Sequence, residues 1–481
     1  MSNFIPPPLV VDLDGTLVKT DLLAETASQF VLAQPLRCFK LLIWLMQGKS
    51  ALKSHLAHNT NIDASALPYN QELVTWLQQE KAQGRVIVLA TASHRVLAEQ
   101  VANHLSLFDQ VLATDGSTNL KADAKCAALV AKFDEKGFDY VGNDWADMTV
   151  WQCAAQAHVI SRSSRLIDTF RRHGNLGKVF SDGKPPLAQA LLKAMRPHQW
   201  MKNLLVLIPL LAAHRYGDAS SVLQALLAFA AFGLTASSVY LLNDLVDVAN
   251  DRQHARKRQR PFAAGHLSLL HGWLAWPLLV ICAFTLAAAT LPWPFTISLG
   301  AYFVLTVAYS LRLKQIPMVD VLTLAVLYTL RIISGAAAIA VPLTFWLLSF
   351  SMFLFLSLAF IKRYSELKAA RQDGQSNALH GRGYSPHDLE LVANLGGSAG
   401  YTSVMVLALY VQDANTASLY ATPKAIWLAC PLLLFWISRA WLITHRGQMH
   451  DDPIVFILKD PVSLALAALF TAVFVAARVI A

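Results

Sequence analysis

Three carboxylates lie close together on one short segment of the chain, Asp244, Asp247 and Asp251, and Asn243 precedes them. Their spacing places all three on one face of a helix. Clustered carboxylates repel one another and are costly to desolvate, so at a membrane edge they need a cation. Mg²⁺ is the expected cation, because it takes oxygen ligands and is commonly shared with phosphates. This segment therefore predicts phosphate-ester chemistry at a membrane surface.

A second acidic pair, Asp12 and Asp14, follows a short apolar stretch near the N-terminus. Residues two apart in an extended chain project to the same side, and open α/β sheets place their sites at the carboxyl ends of strands. A hydroxyl, a lysine and further carboxylates follow later in the chain, at Thr91, Lys125, Asp144 and Asp147. Around Mg²⁺, this set would form a phosphoryl-transfer site.

Alternating strands and helices must position this second set. Apolar, β-branched strands are predicted at 9–11, 85–90 and 138–141, with helical segments between them. That alternation favours a parallel α/β sheet. Residues 22–66 are predicted to be a helical cap, whose apolar centre at 39–46 is too short to span a bilayer. A buried cap helix is the favoured interpretation of that centre, and a face resting on the membrane is the alternative.

The rest of the chain predicts a membrane domain. Of 481 residues, 55% are hydrophobic and 15% charged, and from about Asn203 onward the sequence is a series of long apolar runs. Their lengths predict about nine spanning helices. Their approximate centres are Leu207, Phe232, Leu279, Leu299, Leu327, Phe353, Val406, Leu432 and Phe470. The expected fold is thus an N-terminal α/β Rossmann-like domain with a helical cap and a C-terminal all-α polytopic domain.

Charge predicts the orientation in the membrane. Basic clusters lie at 252–260, 312–314 and 362–363, all on one side if the N-terminus is inside, whereas the outside loops near Pro292, Pro342 and 412–422 are short or weakly charged. The positive-inside rule then places the carboxylate cluster and the N-terminal domain in the cytoplasm, beneath the plasma membrane. The net charge of +9 fits this topology and anionic lipid, and no motif indicates nucleic acid.

The N-terminus and the cysteines exclude further classes of protein. No signal peptide is visible at the N-terminus, and the five cysteines are scattered, indicating neither a disulfide framework nor a zinc site. The predicted domains are 1–160, a basic linker at 161–195, and 196–481.

The DLDGT motif at 12–16 resembles the haloacid dehalogenase superfamily of phosphatases, as does the chain over about 8–160. The resemblance implies that Asp12 is the nucleophile, Asp14 the general acid/base, Thr91 a phosphate ligand and Lys125 a charge-balancing group. The family's last motif usually begins Gly-Asp, but this chain has Asn143 there, so Asp144 or Asp147 must supply the metal carboxylate. A catalytically weakened domain kept for docking is the alternative.

The acidic cluster matches the NDxxDxxxD signature of the UbiA prenyltransferase superfamily, and the resemblance covers about 193–481. It implies that Asn243 and the three aspartates hold Mg²⁺-diphosphate. The segments at 196–203, 257–261, 309–314 and 362–367 look similar to the decaprenyl-phosphate phosphoribosyltransferase branch. The second acidic motif, DxxxD, lacks its second Asp, because Leu324 follows Asp320.

Cationic side chains are plentiful where that second motif is incomplete. They are Lys202, Lys314, Arg331, Lys362 and Arg363, with Arg258 and Arg260 following the first motif. They suit the acceptor phosphate and the donor's phosphates. Arg331 lies within an apolar run, where a charge is costly and usually functional. For Lys314 and Lys362, positive-inside topology alone is an equal interpretation.

The predicted function is Mg²⁺-dependent transfer of phosphoribose from phosphoribosyl pyrophosphate to a polyprenyl phosphate. The N-terminal domain would then remove the product's distal phosphate. Two alternatives remain: prenylation of an aromatic acceptor from a polyprenyl diphosphate, and a transporter or lipid-binding scaffold with a regulatory head.

Overall fold

The computed structural model describes residues 6–115, 120–372, 383–413, 420–449 and 452–479. The chain divides into two compact units. The first unit is Met1–Met195 with Tyr240–Trp276, and the second unit is Arg196–Val239 with Pro277–Ala481. Of the predicted outside loop at 412–422, residues 414–419 lie outside the described residues.

The first unit is built on a six-stranded parallel sheet with strand order β3-β2-β1-β4-β5-β6. The strands are β1 (Leu9–Val11), β2 (Ile87–His94), β3 (Gln110–Thr114), β4 (Asp139–Gly142), β5 (Ala157–Ile160) and β6 (Leu176–Phe180). The three predicted strands are confirmed as the central β1, β2 and β4. These strands are almost wholly buried, because helices cover both faces of the sheet. Their carboxyl ends meet at one edge.

In the described part of residues 6–195, nine α-helices accompany this sheet: α1 (Leu22–Ala33), α2 (Phe39–Met46), α3 (Lys49–Asn59), α4 (Gln71–Ala82), α5 (Arg95–Leu105), α6 (Ala122–Phe133), α7 (Met148–Cys153), α8 (Ser164–His173) and α9 (Leu187–Met195). The predicted cap corresponds to α1–α3. The predicted linker at 161–195 instead contains α8, β6 and α9. Its apolar residues explain this difference, because Leu166, Phe170 and Phe180 are buried in the core among the basic surface residues.

The remaining helices are α10 (Ile208–Ala212), α11 (Ala219–Val246), α12 (Val248–Gln253), α13 (Leu269–Thr290), α14 (Trp293–Leu311), α15 (Val319–Ala338), α16 (Phe345–Gln372), α17 (Leu389–Gln412), α18 (Ala429–His445), α19 (Pro453–Lys459) and α20 (Pro461–Val479). In the described part of the chain, eight helices are long and apolar enough to cross a membrane. They contain eight of the nine predicted centres.

The predicted span centred on Leu207 is different. Residues Pro197–Leu207 form a 3-10 helix, and the five-residue α10 follows it. Pro209 has no backbone N–H to donate, which disfavours a continuous α-helix through this region. The segment packs closely on α15 at Gly335, where an added Cβ would lie 2.0 Å from the Val206 carbonyl oxygen. Only glycine permits this approach, which brings Asn203 beside α15.

Candidate functional site

The carboxyl edge of the sheet carries a buried aspartate–lysine pair. Asp12 directly follows β1, and Lys125 on α6 donates to its Oδ1 at 2.7 Å. Lys125 also donates to the Tyr140 hydroxyl at 3.0 Å. Burial raises the pKa of the Asp12 carboxyl, although the Lys125 ammonium opposes this. A carboxylate held by one ammonium in a desolvated site is suited to act as a nucleophile.

Asp14 lies beside the first residue of the cap. Its Oδ1 accepts from the Leu22 backbone N–H at 2.8 Å, and its Oδ2 accepts from Ser93 Oγ at 2.6 Å and from Thr91 Oγ1 at 3.4 Å. Burial raises the pKa of Asp14, and the nearby Asp21 carboxylate raises it further. A raised pKa favours a carboxyl group that donates and recovers a proton. The structure therefore brings Asp12, Asp14, Thr91 and Lys125 to one site.

The loop after β4 faces the same edge, and Thr16 connects its Asn143 to Asp12. Thr16 Oγ1 lies 3.4 Å from Asp12 Oδ2 and 3.0 Å from Asn143 Oδ1. Gly15 has a φ of +75°, and a Cβ there would lie 2.5 Å from Asn143 Nδ2. The close approach of this loop to Asp12 thus requires glycine.

The two carboxylates proposed as metal ligands differ in their surroundings. Asp147 is buried and accepts from the Tyr140 hydroxyl at 2.9 Å and from the Asn143 backbone N–H at 3.1 Å. Burial raises the pKa of Asp147 to about 6. Asp144 is exposed and caps the following 3-10 helix through the Trp145 N–H. Asp147 therefore lies within the site, whereas Asp144 lies at its outer surface.

The acidic motif of the first unit converges on an arginine. Asp244 lies at the end of α11 and Asp251 on α12, and both carboxyl groups are buried. Arg260 NH1 lies 3.2 Å from Asp244 Oδ1 and 2.7 Å from Asp251 Oδ2. Asp247 is the N-cap residue of α12. The backbone N–H of Asp247 donates to the backbone carbonyl oxygen of Asn243 at 2.9 Å. Arg260 thus brings a positive charge to both carboxyl groups. The Arg258 side chain is exposed to solvent.

The oxygen donors at both acidic clusters fit Mg²⁺. Among the described residues, no three His, Cys, Asp or Glu side chains come together as a metal-binding group. Mg²⁺ in phosphate sites, however, is commonly held by one or two carboxylates plus the phosphates of the substrate. Asp244 and Asp251 converge on one cationic atom, and Asp12 and Asn143 share Thr16. Each pair therefore supplies the protein part of such a site.

A buried guanidinium lies among neutral groups in the second unit. Arg331 on α15 donates to Asn203 Oδ1 at 3.0 Å, to the Leu327 carbonyl at 2.7 Å and to the Tyr302 hydroxyl at 2.9 Å. The rings of Tyr302 and Tyr328 also face it, with centroids at 4.8 and 5.5 Å. These contacts orient the guanidinium but do not neutralise it, which favours an anionic ligand.

A second buried guanidinium, on α16, is compensated by carboxylates. Arg363 forms ion pairs with Asp320 and Glu366, and neither Arg363 nor Asp320 is exposed. Tyr384 donates to Asp320 Oδ1 at 2.7 Å and accepts from the Met318 backbone N–H at 2.8 Å. The structure thus brings the two predicted binding residues, Arg363 and Asp320, together as a pair.

Two of the predicted lysines, Lys202 and Lys362, lie near Asp452, a residue that the sequence analysis did not single out. Asp452, at the start of α19, pairs with Lys202. Burial raises the pKa of this carboxyl, but the charges of Lys202 and Lys362 outweigh it and hold the pKa below its ordinary value. Lys314 is half-buried in the turn after α14. Asp452 lies in a basic inside loop, and nothing in its spacing indicates that it meets Lys202.

Sequence reasoning also missed Lys53 and Ser93 in the α/β site. Lys53 on α3 donates to the Ala92 carbonyl at 2.5 Å, and its pKa is lowered by burial although the Asp14 carboxylate opposes this. Ser93 lies two residues after Thr91, which is a detectable signal. Lys53 lies in the cap insertion, where no motif marks it.

Comparison with known families agrees with this two-part architecture. Residues 204–466 match the UbiA prenyltransferase family, and residues 9–149 match haloacid dehalogenase-like hydrolases. The chain therefore belongs to the UbiA prenyltransferase family and carries a haloacid dehalogenase-like domain before its multi-pass membrane region.

Three relatives are similar to different extents of the chain. "Uncharacterized protein y4nM" of Sinorhizobium fredii is 35% identical over 98% of this chain and 91% of its own length. "Nodulation protein NoeC" of Azorhizobium caulinodans is 40% identical over 56% of this chain and 88% of its own length. A decaprenyl-phosphate phosphoribosyltransferase of Mycolicibacterium smegmatis is 33% identical over 58% of this chain and 89% of its own length.

Proposed function

We propose that the chain transfers phosphoribose from phosphoribosyl pyrophosphate to a polyprenyl phosphate, and that its N-terminal domain then removes the distal phosphate of the product. The observation that carries this proposal is Arg331, a buried guanidinium whose hydrogen-bond acceptors are all neutral. The phosphate of the acceptor lipid would compensate this charge. Similarity to a decaprenyl-phosphate phosphoribosyltransferase supports the same choice.

The transfer step breaks the bond between the anomeric carbon and the diphosphate oxygen, and forms a bond from that carbon to a lipid phosphate oxygen. Mg²⁺, when bound, would neutralise the departing diphosphate. We propose that Asn243, Asp244, Asp247 and Asp251 hold it, with Arg258 and Arg260 on the remaining phosphate oxygens. An anionic phosphate carries no proton at the attacking oxygen, so the acceptor needs no general base.

We further propose that Arg331, together with Lys202, Lys314 and Lys362, binds the acceptor phosphate and the donor's distal phosphate. Arg363 and Asp320 would act with them by fixing α15 against α16, because each side chain is wholly buried in their mutual ion pair. The incomplete DxxxD motif fits this role, since Asp320 already has a protein cation as its partner.

The dephosphorylation step would use the α/β site. Asp12 would attack phosphorus and form an aspartyl phosphate, while Asp14 would give a proton to the departing sugar oxygen. Asp14 would then take a proton from the water that hydrolyses the aspartyl phosphate, which releases inorganic phosphate and restores Asp12. Thr91 and Lys125 would bind the phosphoryl oxygens, and Asp12 with Asn143 or Asp147 would hold Mg²⁺. A covalent link between the two activities would raise the effective concentration of the intermediate. The positive-inside pattern supports a cytoplasmic location for this domain beneath the plasma membrane.

The test uses the purified full-length chain with polyprenyl phosphate, phosphoribosyl pyrophosphate and Mg²⁺, and the lipid products are separated by mass. Wild type should yield a ribosylated lipid that loses phosphate with time. Asp12→Asn should stop at the phosphorylated lipid, and the matched control Asp123→Asn, at an exposed position on α6, should behave as wild type. An unchanged product mixture in Asp12→Asn would remove the phosphatase step from the proposal.

A parallel incubation with 4-hydroxybenzoate and a polyprenyl diphosphate tests the alternative reaction. Consumption of the prenyl diphosphate, with no consumption of phosphoribosyl pyrophosphate, would replace the proposal with aromatic prenylation. Asp247→Ala should abolish whichever transfer occurs. If the variant retains full transfer, the acidic motif is not catalytic and the transporter or scaffold alternative gains support.

A further inference from the structure

The cap of the α/β domain carries an exposed apolar face. In α2, the exposed fractions are 55% for Phe39, 67% for Leu42, 47% for Ile43 and 88% for Met46. These positions follow the i, i+3, i+4, i+7 spacing that forms one stripe along a helix. Leu36, in the turn before α2, is 90% exposed. The buried cap helix favoured by the sequence pattern is therefore wrong, and the apolar stripe is open.

Leu45 of α2 is also 46% exposed, whereas Trp44 is half-buried and anchors the helix to the rest of the cap. Trp44 lies against Phe30 of α1, with ring centroids 5.0 Å apart, and stacks on His55 of α3 at 4.9 Å. These contacts hold α2 between its neighbours in the cap. The exposed stripe is thus a surface of the folded cap.

Charge on this part of the cap favours an anionic partner. Between Glu25 and Asp63 the sequence contains no Asp or Glu. Three basic residues lie near the stripe, Arg37, Lys40 and Lys49, whereas Lys53 of the same segment donates to Ala92 at the α/β site. An apolar helix face flanked by basic side chains is typical of helices that bind at the surface of anionic membranes.

Contacts of α1 place this cap beside the start of a candidate membrane span. Trp273, near the start of the candidate span α13, donates to Ser28 Oγ at 3.0 Å, and Arg252 forms an ion pair with Glu25 at 2.6 Å. On the same part of α13, Leu270 and Leu274 are 59% and 64% exposed, as expected of a lipid-facing surface. The α2 stripe follows α1 directly along the chain.

The length of α2 decides how it meets the bilayer. The pair formed by Leu22–Ala33 and Pro35–Met46 is apolar enough for a span but bends by 115°. Eight residues of helix measure about 12 Å, against about 30 Å for the hydrocarbon core. We propose that α2 inserts its stripe of Phe39, Leu42, Ile43 and Met46 into the membrane interface, and so holds the cap of the phosphatase-like domain against anionic lipid.

This surface has a consequence for the substrate of the α/β site, which rests on the proposed function. Lys53, one turn into the next helix α3, donates to Ala92 beside Asp14. The cap that carries the stripe therefore also contributes a lysine to the surroundings of Asp14. A phosphate monoester on a lipid-linked sugar would reach Asp12 while its lipid stays in the bilayer.

The direct test measures depth in the membrane on the full-length chain in liposomes containing anionic lipid. The exposed native cysteines Cys38 and Cys282 are replaced by Ser, and a single cysteine carrying an environment-sensitive dye is placed at Met46. The matched control site is Gln79, exposed on α4. We expect quenching at Met46 by lipids spin-labelled near the headgroup, and no quenching at Gln79.

Three results would overturn the proposal. One is a dye at position 46 that no lipid-borne label quenches. Another is stronger quenching by labels at the end of the acyl chain, which would make the segment a span. The third is shielding of the dye from lipid together with efficient Cys38-to-Cys38 crosslinking in a separate sample that keeps the native Cys38, which would make the stripe an interface between copies of the chain.

A kinetic arm uses the double variant Leu42→Glu/Met46→Glu, with Gln47→Glu as the charge control at an exposed neighbour. Hydrolysis of a lipid-linked phosphate in liposomes should need about tenfold or more higher surface concentration in the double variant, because two apolar side chains lose their lipid contacts. Hydrolysis of a soluble phosphate monoester should not change. If the double variant and Gln47→Glu hydrolyse the lipid-linked phosphate with the same dependence on surface concentration, the proposed insertion of α2 is contradicted. If wild type hydrolyses neither substrate, the proposed function fails, and the quenching experiment still decides the membrane contact.

Discussion

Arg331 and Arg363 are both buried in the second unit, but different groups surround them. Arg363 is paired with two carboxylates, Asp320 and Glu366, whereas Arg331 donates to two oxygens of neutral side chains and one backbone carbonyl. A buried charge is tolerated when it is compensated, and costly when it is not. Burial and residue type alone therefore do not identify a cation that binds a ligand. The charge of the groups that surround the cation does identify it.

Breaking the compensated pair should have the largest effect on stability. Arg363→Met leaves Asp320 buried and unpaired, so we expect a loss of about 3–5 kcal/mol in the free energy of unfolding. Thermal unfolding of the detergent-purified chain measures this. The double variant Arg363→Met/Asp320→Leu should recover most of the loss, because no uncompensated charge remains. A stable single variant that has lost transfer activity would instead place Arg363 among the ligand-binding groups.

Removing the uncompensated guanidinium should affect binding more than folding. Arg331→Gln keeps a hydrogen-bond donor but loses the charge, and a charge-assisted contact to phosphate contributes about 1.5–3 kcal/mol. We therefore expect the KM for polyprenyl phosphate to rise about 10- to 100-fold, while the unfolding temperature stays near that of wild type. Arg331→Lys should recover part of the loss. Unchanged KM in Arg331→Gln would contradict a phosphate-binding role.

The smallest effects are expected at the tyrosine next to each arginine. Tyr302→Phe and Tyr384→Phe each remove a hydroxyl with contacts that contribute about 1 kcal/mol. Tyr302→Phe should raise the KM for the acceptor about fivefold, because the hydroxyl orients Arg331. Tyr384→Phe should instead lower the unfolding temperature with little change in KM, because its partner is Asp320. If both variants changed KM and the unfolding temperature in the same way, the proposed difference between the roles of Arg331 and Arg363 would be contradicted.

Regular patterns allowed much of the architecture to be predicted. The apolar strands β1, β2 and β4, eight spans, and the gathering of Asp12, Asp14, Thr91 and Lys125 all follow from strand ends and run lengths. The 3-10 segment before α10 was not foreseen, because proline and close packing on Gly335 override an apolar run that looks continuous. The outer strand β6 was hidden because basic surface residues dominate its segment.

Side-chain pairing was the least predictable part of the candidate sites. Arg331 lies within an apolar run and Arg363 lies beside Lys362 at the end of one, but neither position indicates which guanidinium has carboxylate partners. Asp452 meets Lys202 across 250 residues of chain. Arg260 lies within hydrogen-bond distance of both Asp244 and Asp251, the carboxylates that are proposed to hold Mg²⁺. In each case, contacts distant in sequence decide the role.

The ion pair of Glu25 with Arg252 also limits which substitutions this protein can accept during evolution. Glu25 belongs to the cap of the phosphatase-like domain and Arg252 to α12, which follows the start of the membrane acidic motif, yet both side chains are almost fully buried together. A change that removes one of the two charges would leave the other buried without its partner. We therefore expect these two positions to change together in homologues.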